Sequence, residues 1–411
     1  MTRSVFVSQT GLSEPLGRSQ IVPYLVGLAR GGHELSVVGF EIEGVDPAAV
    51  ATVTAELSAV GIDYSWAPRS RSHGLPTKLW ESVAALGRLT AHALRRRPRI
   101  VHARSYLPGA VSMALSAVLP GARFVFDCRG LLGDEYVDFG HWQRTSLNYR
   151  LLKHVERDLF RRADGVVTLT ARLASWLRDE VGLVDRSTPL EVIPCCVDLD
   201  HFRVDLATRQ HARDLVGAGE RFVLAYAGSL GAWYCENEMA RLYAALRALR
   251  PSLFTVFTRS PTDKLQAALQ SHGVPANELR VASTGFDAMP AALASADAAI
   301  SFAEPRFSKI ASSPVKVAEY LACGVPVILN RGVGDSDALI DEVCRPGDGA
   351  GPIGVDAGRL SPTELDTAAA ALAKLTVGPG ERARARALAE RDFSLQSVGV
   401  ARYRRLYQAL G

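Results

Sequence analysis

Two lysines, a glutamate and a pair of serines carry the clearest chemistry in this chain. Lys309, Ser312, Ser313, Pro314, Lys316 and Glu319 fall within one short segment, and only six of the 47 basic residues are lysines. Ser313 fits an N-cap, Pro314 the first helical position and Gly324 the residue past the helix end, so the segment predicts loop, helix and then a strand at Val325–Leu329. Free N–H groups and the positive dipole end at such a helix start suit a diphosphate, and Lys309 and Lys316 add formal charge beside it. Glu319, about one turn in, is placed to accept both hydroxyls of a ribose. On an ordinary helix Lys316 and Glu319 would instead form an i,i+3 pair worth a few tenths of a kcal/mol. Residue type and spacing alone leave both readings open.

A second group lies earlier. Asp127 and Arg129 end a predicted strand, Val125 to Gly130, where residues past parallel strand ends face the ligand crevice of an open α/β sheet. They are expected to bind an acceptor or move a proton, against the simpler alternative of a local ion pair. Arg104 ends the preceding predicted strand and is a similar candidate, whereas His102 reads as a packing histidine. Glu135, in the predicted loop Gly133 to Tyr136, is expected either to contact the acceptor or to be an ordinary solvated loop carboxylate. Gly11 to Ser19 holds two glycines after a strand but lacks the full dinucleotide fingerprint. Asp198-Leu-Asp200 mimics a metal-binding D-x-D, yet no Asp/His cluster accompanies it, and no metal is expected.

The elements that must position these residues follow an alternating pattern. Residues 4–8, 34–41, 99–105, 122–130 and 165–170 read as strands separated by helical stretches, and the pattern restarts at Phe222 to Leu230, Leu253 to Ser260, Arg280 to Thr284, Ala298 to Phe302 and Val325 to Asn330. Such alternation implies parallel sheets covered on both faces. A length of 411 residues, with 48% hydrophobic and 22% charged, accommodates two domains. Tyr403, Leu406, Tyr407 and Leu410 lie at helical spacing and predict a final amphipathic helix.

The run Ser313-Pro-Val-Lys-Val-Ala-Glu-Tyr-Leu-Ala-Cys-Gly-Val-Pro-Val327 is similar to the donor-binding segment of the retaining family 4 glycosyltransferases. Pro15 to Gln20, Ile100 to Arg104, Phe126 to Gly130, Glu191 to Asp198 and Tyr226 to Gly231 resemble that family in order and spacing, so the likeness covers nearly the whole chain. It implies an α/β GT-B fold, two facing Rossmann-like domains with a deep interdomain cleft. The acceptor domain would span 1–194, the nucleotide-sugar domain 195–392, and a C-terminal helix 393–411 would pack back on the first. The resemblance carries Glu319 to the ribose, Ser312, Ser313 and Pro314 to the phosphate and sugar cradle, Gly17 and Arg18 to a loop approaching the diphosphate, and Gly228 and Ser229 to the donor site. Two departures stand out. Ala311 replaces a glutamate common in the family, and Gly231-Ala-Trp-Tyr234 replaces an Arg/Lys phosphate pair. Lys309, Lys316 or Arg259 would then supply the positive charge that a departing diphosphate needs.

The expected reaction is transfer of a sugar, a hexose in the commonest case, from a nucleoside-diphosphate sugar, such as a UDP-sugar, to an acceptor hydroxyl. It would retain anomeric configuration, with the diphosphate helping to take the acceptor proton. No cofactor is expected, since the nucleotide sugar is a substrate. The acceptor could be a saccharide, a lipid-linked saccharide or a small natural product. Rival readings are a sugar-nucleotide epimerase of similar shape and a degenerate nucleotide-sugar-binding partner. A net charge of +4 gives no reason to expect nucleic acid. The six cysteines show no zinc-like spacing. No run approaches the roughly 20 apolar residues of a span, and the chain opens directly on a strand, which together predict a cytoplasmic protein. Peripheral contact with the inner membrane face would use the helix carrying Leu79, Trp80, Val83, Leu86 and Leu89, closed by the basic run Arg95 to Arg99.

Overall fold

Runs of β-branched and aromatic residues become two parallel sheets. The computed structural model describes residues 3–70, 87–92, 95–231, 233–347 and 349–411. The chain divides into two compact units, Met1–Pro194 with Leu395–Gly411, and Cys195–Ser394.

The first unit holds β1 (Arg3–Ser8), β2 (Glu34–Ile42), β3 (Asp63–Arg69), β4 (Ile100–Arg104), β5 (Arg123–Asp127), β6 (Gly165–Thr168) and β7 (Leu190–Val192). Their order is β3-β2-β1-β4-β5-β6-β7. The register is parallel throughout, with Phe6 opposite both Val37 and His102. The sequence reading did not anticipate β3. It is an edge strand carrying Asp63 and Pro68, and only some of its residues are buried, so it lacks the apolar run of an interior strand.

The second unit holds β8 (Phe222–Ala227), β9 (Ser252–Phe257), β10 (Leu279–Ala282), β11 (Ala298–Ser301), β12 (Val327–Leu329) and β13 (Gly354–Asp356), ordered β10-β9-β8-β11-β12-β13. Phe222 to Ala227 is buried at every position, as a central parallel strand covered on both faces must be. Met239, Leu242 and Leu246 pack one face together with Leu365 and Leu372, while Val317, Leu321, Ala385 and Leu388 pack the other. In both units the strand order reverses beside the first strand, between β1 and β4 and between β8 and β11. In doubly wound sheets such a reversal opens a ligand crevice at the strands' C-terminal ends.

The C-terminal segment belongs to the first unit. A wide π-helical turn, Leu395–Val400, leads into the helix Ala401–Leu410, so the crossing falls after Ser394 and not after residue 392. Tyr403, Leu406 and Tyr407 are its buried positions. Tyr403 donates to Asp127 Oδ2 at 2.8 Å, and Arg405 pairs with Glu191 at 2.6 Å. Of the proposed lipid-facing helix, Leu79, Trp80, Val83 and Leu86 lie outside the described residues. Leu89 is fully buried and Arg96 pairs with Asp63 at 3.2 Å. Among the described residues no helix is long and apolar enough to cross a membrane.

Candidate functional site

The lysine and glutamate segment follows β11, on one side of the reversal in the second sheet. Its helix runs Val315–Ala322, one residue later than the sequence suggests. Pro314, with φ −67° and ψ 118°, is the N-cap and not the first helical residue, and Ser313 does not cap. The Ser313 hydroxyl instead accepts the N–H of Cys195 at 3.1 Å, tying this loop to the start of the unit. The N–H groups of Val315 and Lys316 find no acceptor among the described residues. At the other end Gly324, at φ +69°, closes the helix as expected, with Val325 N–H donating to Tyr320 O and Gly324 N–H to Leu321 O, the paired bonds of a Schellman turn. A Cβ at 324 would lie 3.1 Å from Arg382 O, so space as well as φ calls for glycine.

Tyr320 fixes the helix over the crevice. Its hydroxyl accepts the Ala227 N–H at 2.7 Å and lies 3.3 Å from Ile300 O, touching β8 and β11 on either side of the reversal. Lys316 then turns back toward β8. Its Nζ donates to the Tyr226 hydroxyl at 2.9 Å and stands 4.0 Å and 4.5 Å from the ring centroids of Tyr226 and Tyr234. Lys316 and Glu319 form no salt bridge, so the i,i+3 pair that the spacing allowed is not made. Both side chains are partly exposed. Burial pushes the Lys316 ammonium down to about 7, opposed by Glu319, and pushes the Glu319 carboxyl up to about 7, opposed by Lys316. Among the described residues the Glu319 carboxylate has no hydrogen-bond partner.

The backbone of β8 comes close to this lysine. Gly228 sits at φ +128°, and a Cβ there would lie 3.1 Å from Lys316 Nζ. Its N–H donates to Phe257 O at 2.9 Å, while the exposed Ser229 offers its carbonyl to the Tyr226 hydroxyl. Ser260, after β9, accepts the Leu230 N–H at 3.1 Å and so holds the two strand-end loops together. Arg259, its neighbour, is exposed and makes no ion pair or hydrogen bond among the described residues. Lys309 is 7% exposed, with Nζ 3.5 Å from the Trp233 ring centroid. Ser312 is half-buried and closes the turn by donating to Lys309 O at 3.1 Å. Lys309, Ser312, Lys316, Glu319, Gly228 and Ser229 therefore cluster around the β8 and β11 ends.

In the first unit the sequence candidates separate. Asp127 is fully buried, accepts from Tyr403, and has Arg129 at 3.4 Å and Arg104 and His102 at 3.6 Å. Burial favours its neutral form, but the Arg129 guanidinium, the His102 ring and the Arg104 guanidinium outweigh this and hold its carboxyl well below the usual range. Such a carboxylate is a poor proton acceptor, and the expected acid/base duty gives way to anchoring the C-terminal helix. Arg104 is buried in the same cluster. Arg129 and Glu135 are only partly buried. His102 packs as expected, between Phe6, Tyr403 and Tyr407, with Nδ1 2.7 Å from the Tyr407 hydroxyl. Gly17 is buried, and a Cβ there would lie 2.0 Å from Gly11 O, so close packing of this loop calls for glycine. Arg18 pairs with Glu56. Asp198 Oδ1 accepts the N–H groups of Asp200 and His201, a turn-capping job.

Sequence reasoning missed several residues that shape these loops. Tyr226, Tyr320, Trp233 and Tyr234 carry no sequence signal that sets them apart from other aromatics. Glu41, a carboxylate at the end of the otherwise apolar β2, is a signal that could have been read. It is fully buried and accepts from the N–H groups of Leu12 and Ser13 and from the Tyr64 hydroxyl, fixing the loop after β1. Asn330 likewise braces the loop after β11, exchanging hydrogen bonds with the backbone of Ala303 at 3.0 and 2.9 Å.

The profile of Glycosyltransferase Family 4 matches residues 24–201. No curated protein matches the sequence. Solved structures match over the full chain at low identity. Sucrose-phosphate synthase from Thermosynechococcus elongatus superposes with a TM-score of 0.75 at 14% identity, covering 100% of this chain and 99% of that one. HepE from Anabaena, in complex with UDP and glucose, gives 0.71 at 16% identity with the same coverage. The catalytic domain of starch synthase IV from Arabidopsis thaliana, bound to ADP and acarbose, gives 0.66 at 14%, again covering 100% and 99%. The fold, two parallel-sheet α/β domains, is that of GT-B glycosyltransferases.

Proposed function

We propose that the chain is a glycosyltransferase that binds a nucleoside-diphosphate sugar in its second unit and passes the sugar to an acceptor hydroxyl. The observation that carries this reading is Glu319. Its carboxylate lies about one turn into a helix at the sheet's reversal, on a half-buried residue and without a hydrogen-bond partner among the described residues. A buried-edge carboxylate left unsatisfied in this way suits the paired hydroxyls of a ribose. The N–H groups of Val315 and Lys316, with the Lys316 ammonium, suit the adjoining diphosphate. The family profile on the first unit and the fold shared with three sugar-handling proteins support the same class. HepE was solved with UDP and the starch synthase with ADP, so uridine and adenosine are the bases to try first.

In this reading Lys316, Lys309 and Arg259 neutralise charge as the sugar–phosphate bond breaks, and Gly228 and Ser229 let the backbone approach the phosphates. The transfer retains configuration and moves a hexose without a metal, the departing diphosphate taking the acceptor proton on the face it leaves. Arg129 and Glu135 contact the acceptor. Asp127 takes no proton.

The test is a thermal-shift and calorimetric screen of nucleoside diphosphates and their sugars, with and without EDTA, on the wild type and Glu319→Ala. One diphosphate binding without regard to EDTA, and lost in the variant, supports the donor site, and sugar release onto an added acceptor supports transfer. Binding without turnover on any acceptor would favour a nucleotide-sugar-binding partner, and no binding at all would overturn both.

A further inference from the structure

The Lys316 ammonium is held by rings and not by a carboxylate. Among the described residues its one hydrogen-bond acceptor is the Tyr226 hydroxyl, and the ring centroids of Tyr226 and Tyr234 lie 4.0 and 4.5 Å from its nitrogen. The two rings meet edge to face with centroids 6.5 Å apart, and so form two walls of one seat. Tyr226 is fully buried in the core, while Tyr234 is partly exposed on the loop that follows β8. That loop is braced, since Tyr234 N–H donates to Gly231 O at 3.0 Å and Trp233 O accepts from Glu304 N–H at 3.1 Å. A ring face attracts an ammonium without neutralising it, whereas a carboxylate would compete with an incoming anion.

We propose that Tyr234 is a positioning residue, which with Tyr226 forms a two-ring seat that keeps Lys316 free of any carboxylate partner for a phosphate group of the ligand. This rests on the donor-site reading above and deepens it. Gly228 leaves room for the seat, because a Cβ there would press on Lys316 Nζ at 3.1 Å. The charged and titratable groups around the seat are Glu319 on the same helix, Tyr226 on β8, Tyr234 on its loop, Glu236 and Cys235 at the following helix start, and Tyr320 beneath. Burial in the seat holds Lys316 near 7, so at higher pH it is largely neutral in the empty site. An arriving diphosphate supplies the missing counter-charge and draws a proton onto Nζ, so binding above neutrality is accompanied by proton uptake from the buffer.

The experiment is isothermal titration of the full chain with uridine and adenosine diphosphates at about pH 8, in two buffers of different ionisation enthalpy, which counts protons taken up on binding. The wild type is expected to take up protons, Tyr234→Phe to do the same because the ring remains, and Lys316→Met to bind without that uptake. Tyr234→Leu is expected to bind roughly tenfold more weakly with reduced uptake. Should Tyr234→Leu misfold, the Lys316→Met result still decides. Unchanged proton uptake in Lys316→Met, or unchanged affinity and uptake in a folded Tyr234→Leu, would overturn the seat while leaving the donor site standing. No diphosphate binding by the wild type would overturn the donor site and the seat together.

Discussion

Lys316 Nζ donates to the Tyr226 hydroxyl at 2.9 Å while standing 4.0 Å from the centroid of that same ring, and three residues further along the helix the Glu319 carboxylate has no partner among the described residues. The two charges that a nucleotide would use are thus both displaced toward neutrality at about 7.

A pH dependence with two limbs follows. Lys316 must be protonated to hold a phosphate, so affinity falls as pH rises above about 7. Glu319 must be ionised to accept ribose hydroxyls, so affinity also falls as pH drops below about 7. Dissociation constants of the preferred nucleoside diphosphate, measured from acid to alkaline conditions, should peak in affinity near neutrality. Lys316→Met should lose the alkaline limb and Glu319→Gln the acid limb. A flat wild-type profile would contradict both assignments.

The same displacement sets stability against function. The folded pKa of Glu319 is raised from 4.5 to about 7, so its protonated form is favoured by folding, an effect present below the unfolded value and lost as pH rises through about 7. Above that, the ionised group is a burden on the fold. Glu319→Gln removes it and should stabilise the protein at alkaline pH, by something on the order of 1 kcal/mol once solvent access is allowed for, while weakening nucleotide binding at least tenfold. Chemical denaturation at alkaline pH checks the first, and titration checks the second. A 2′-deoxynucleotide should bind the wild type worse than its ribose counterpart, and the variant with little difference.

Gly228→Ala should fail for two reasons at once. The backbone at φ +128° is strained for any side chain, and the new methyl would meet Lys316 Nζ at 3.1 Å. A loss of about 1–3 kcal/mol in denaturant stability is expected, together with weakened diphosphate binding. Normal binding by a stable Gly228→Ala protein would show that the seat has slack.

Asp127 separates a structural from a catalytic role. Tyr403→Phe removes the hydroxyl that donates to its Oδ2 at 2.8 Å, leaving a buried carboxylate short of a donor, and should cost about 1.5–3 kcal/mol of stability with nucleotide affinity unchanged. Asp127→Asn should likewise reduce stability, with transfer activity per folded molecule kept within a few-fold. A drop in turnover of a hundredfold or more, in a folded Asp127→Asn protein, would restore the acid/base role that the strand-end position suggested.

Much of the scaffold was legible because parallel strands announce themselves. A run such as Phe222 to Ala227, buried at all six positions, has to be apolar throughout, and Pro314 and Gly324 bracket the helix Val315–Ala322 to within one residue of the expected start. β3 and the three-residue β13 were not legible, since an edge strand with a proline and a short strand starting at Gly354 carry too little side-chain signal. Within the site, the types and spacing of Lys309, Lys316 and Glu319 marked the segment, but not which way each side chain turns.

The sequence by itself thus determined two alternating α/β units, the helix that carries Lys316 and Glu319, and the amphipathic stripe of Tyr403 and Tyr407, because strand burial, caps and helical periodicity are local properties of the chain. Only the tertiary structure decided that Lys316 faces Tyr226 and Tyr234 instead of Glu319, that Ser313 holds Cys195 instead of capping, and that Asp127 is consumed by Tyr403 across 276 positions of sequence. Those outcomes depend on which distant backbone supplies a ring face, an N–H or a hydroxyl within a few ångströms, and a one-dimensional pattern carries no record of that proximity.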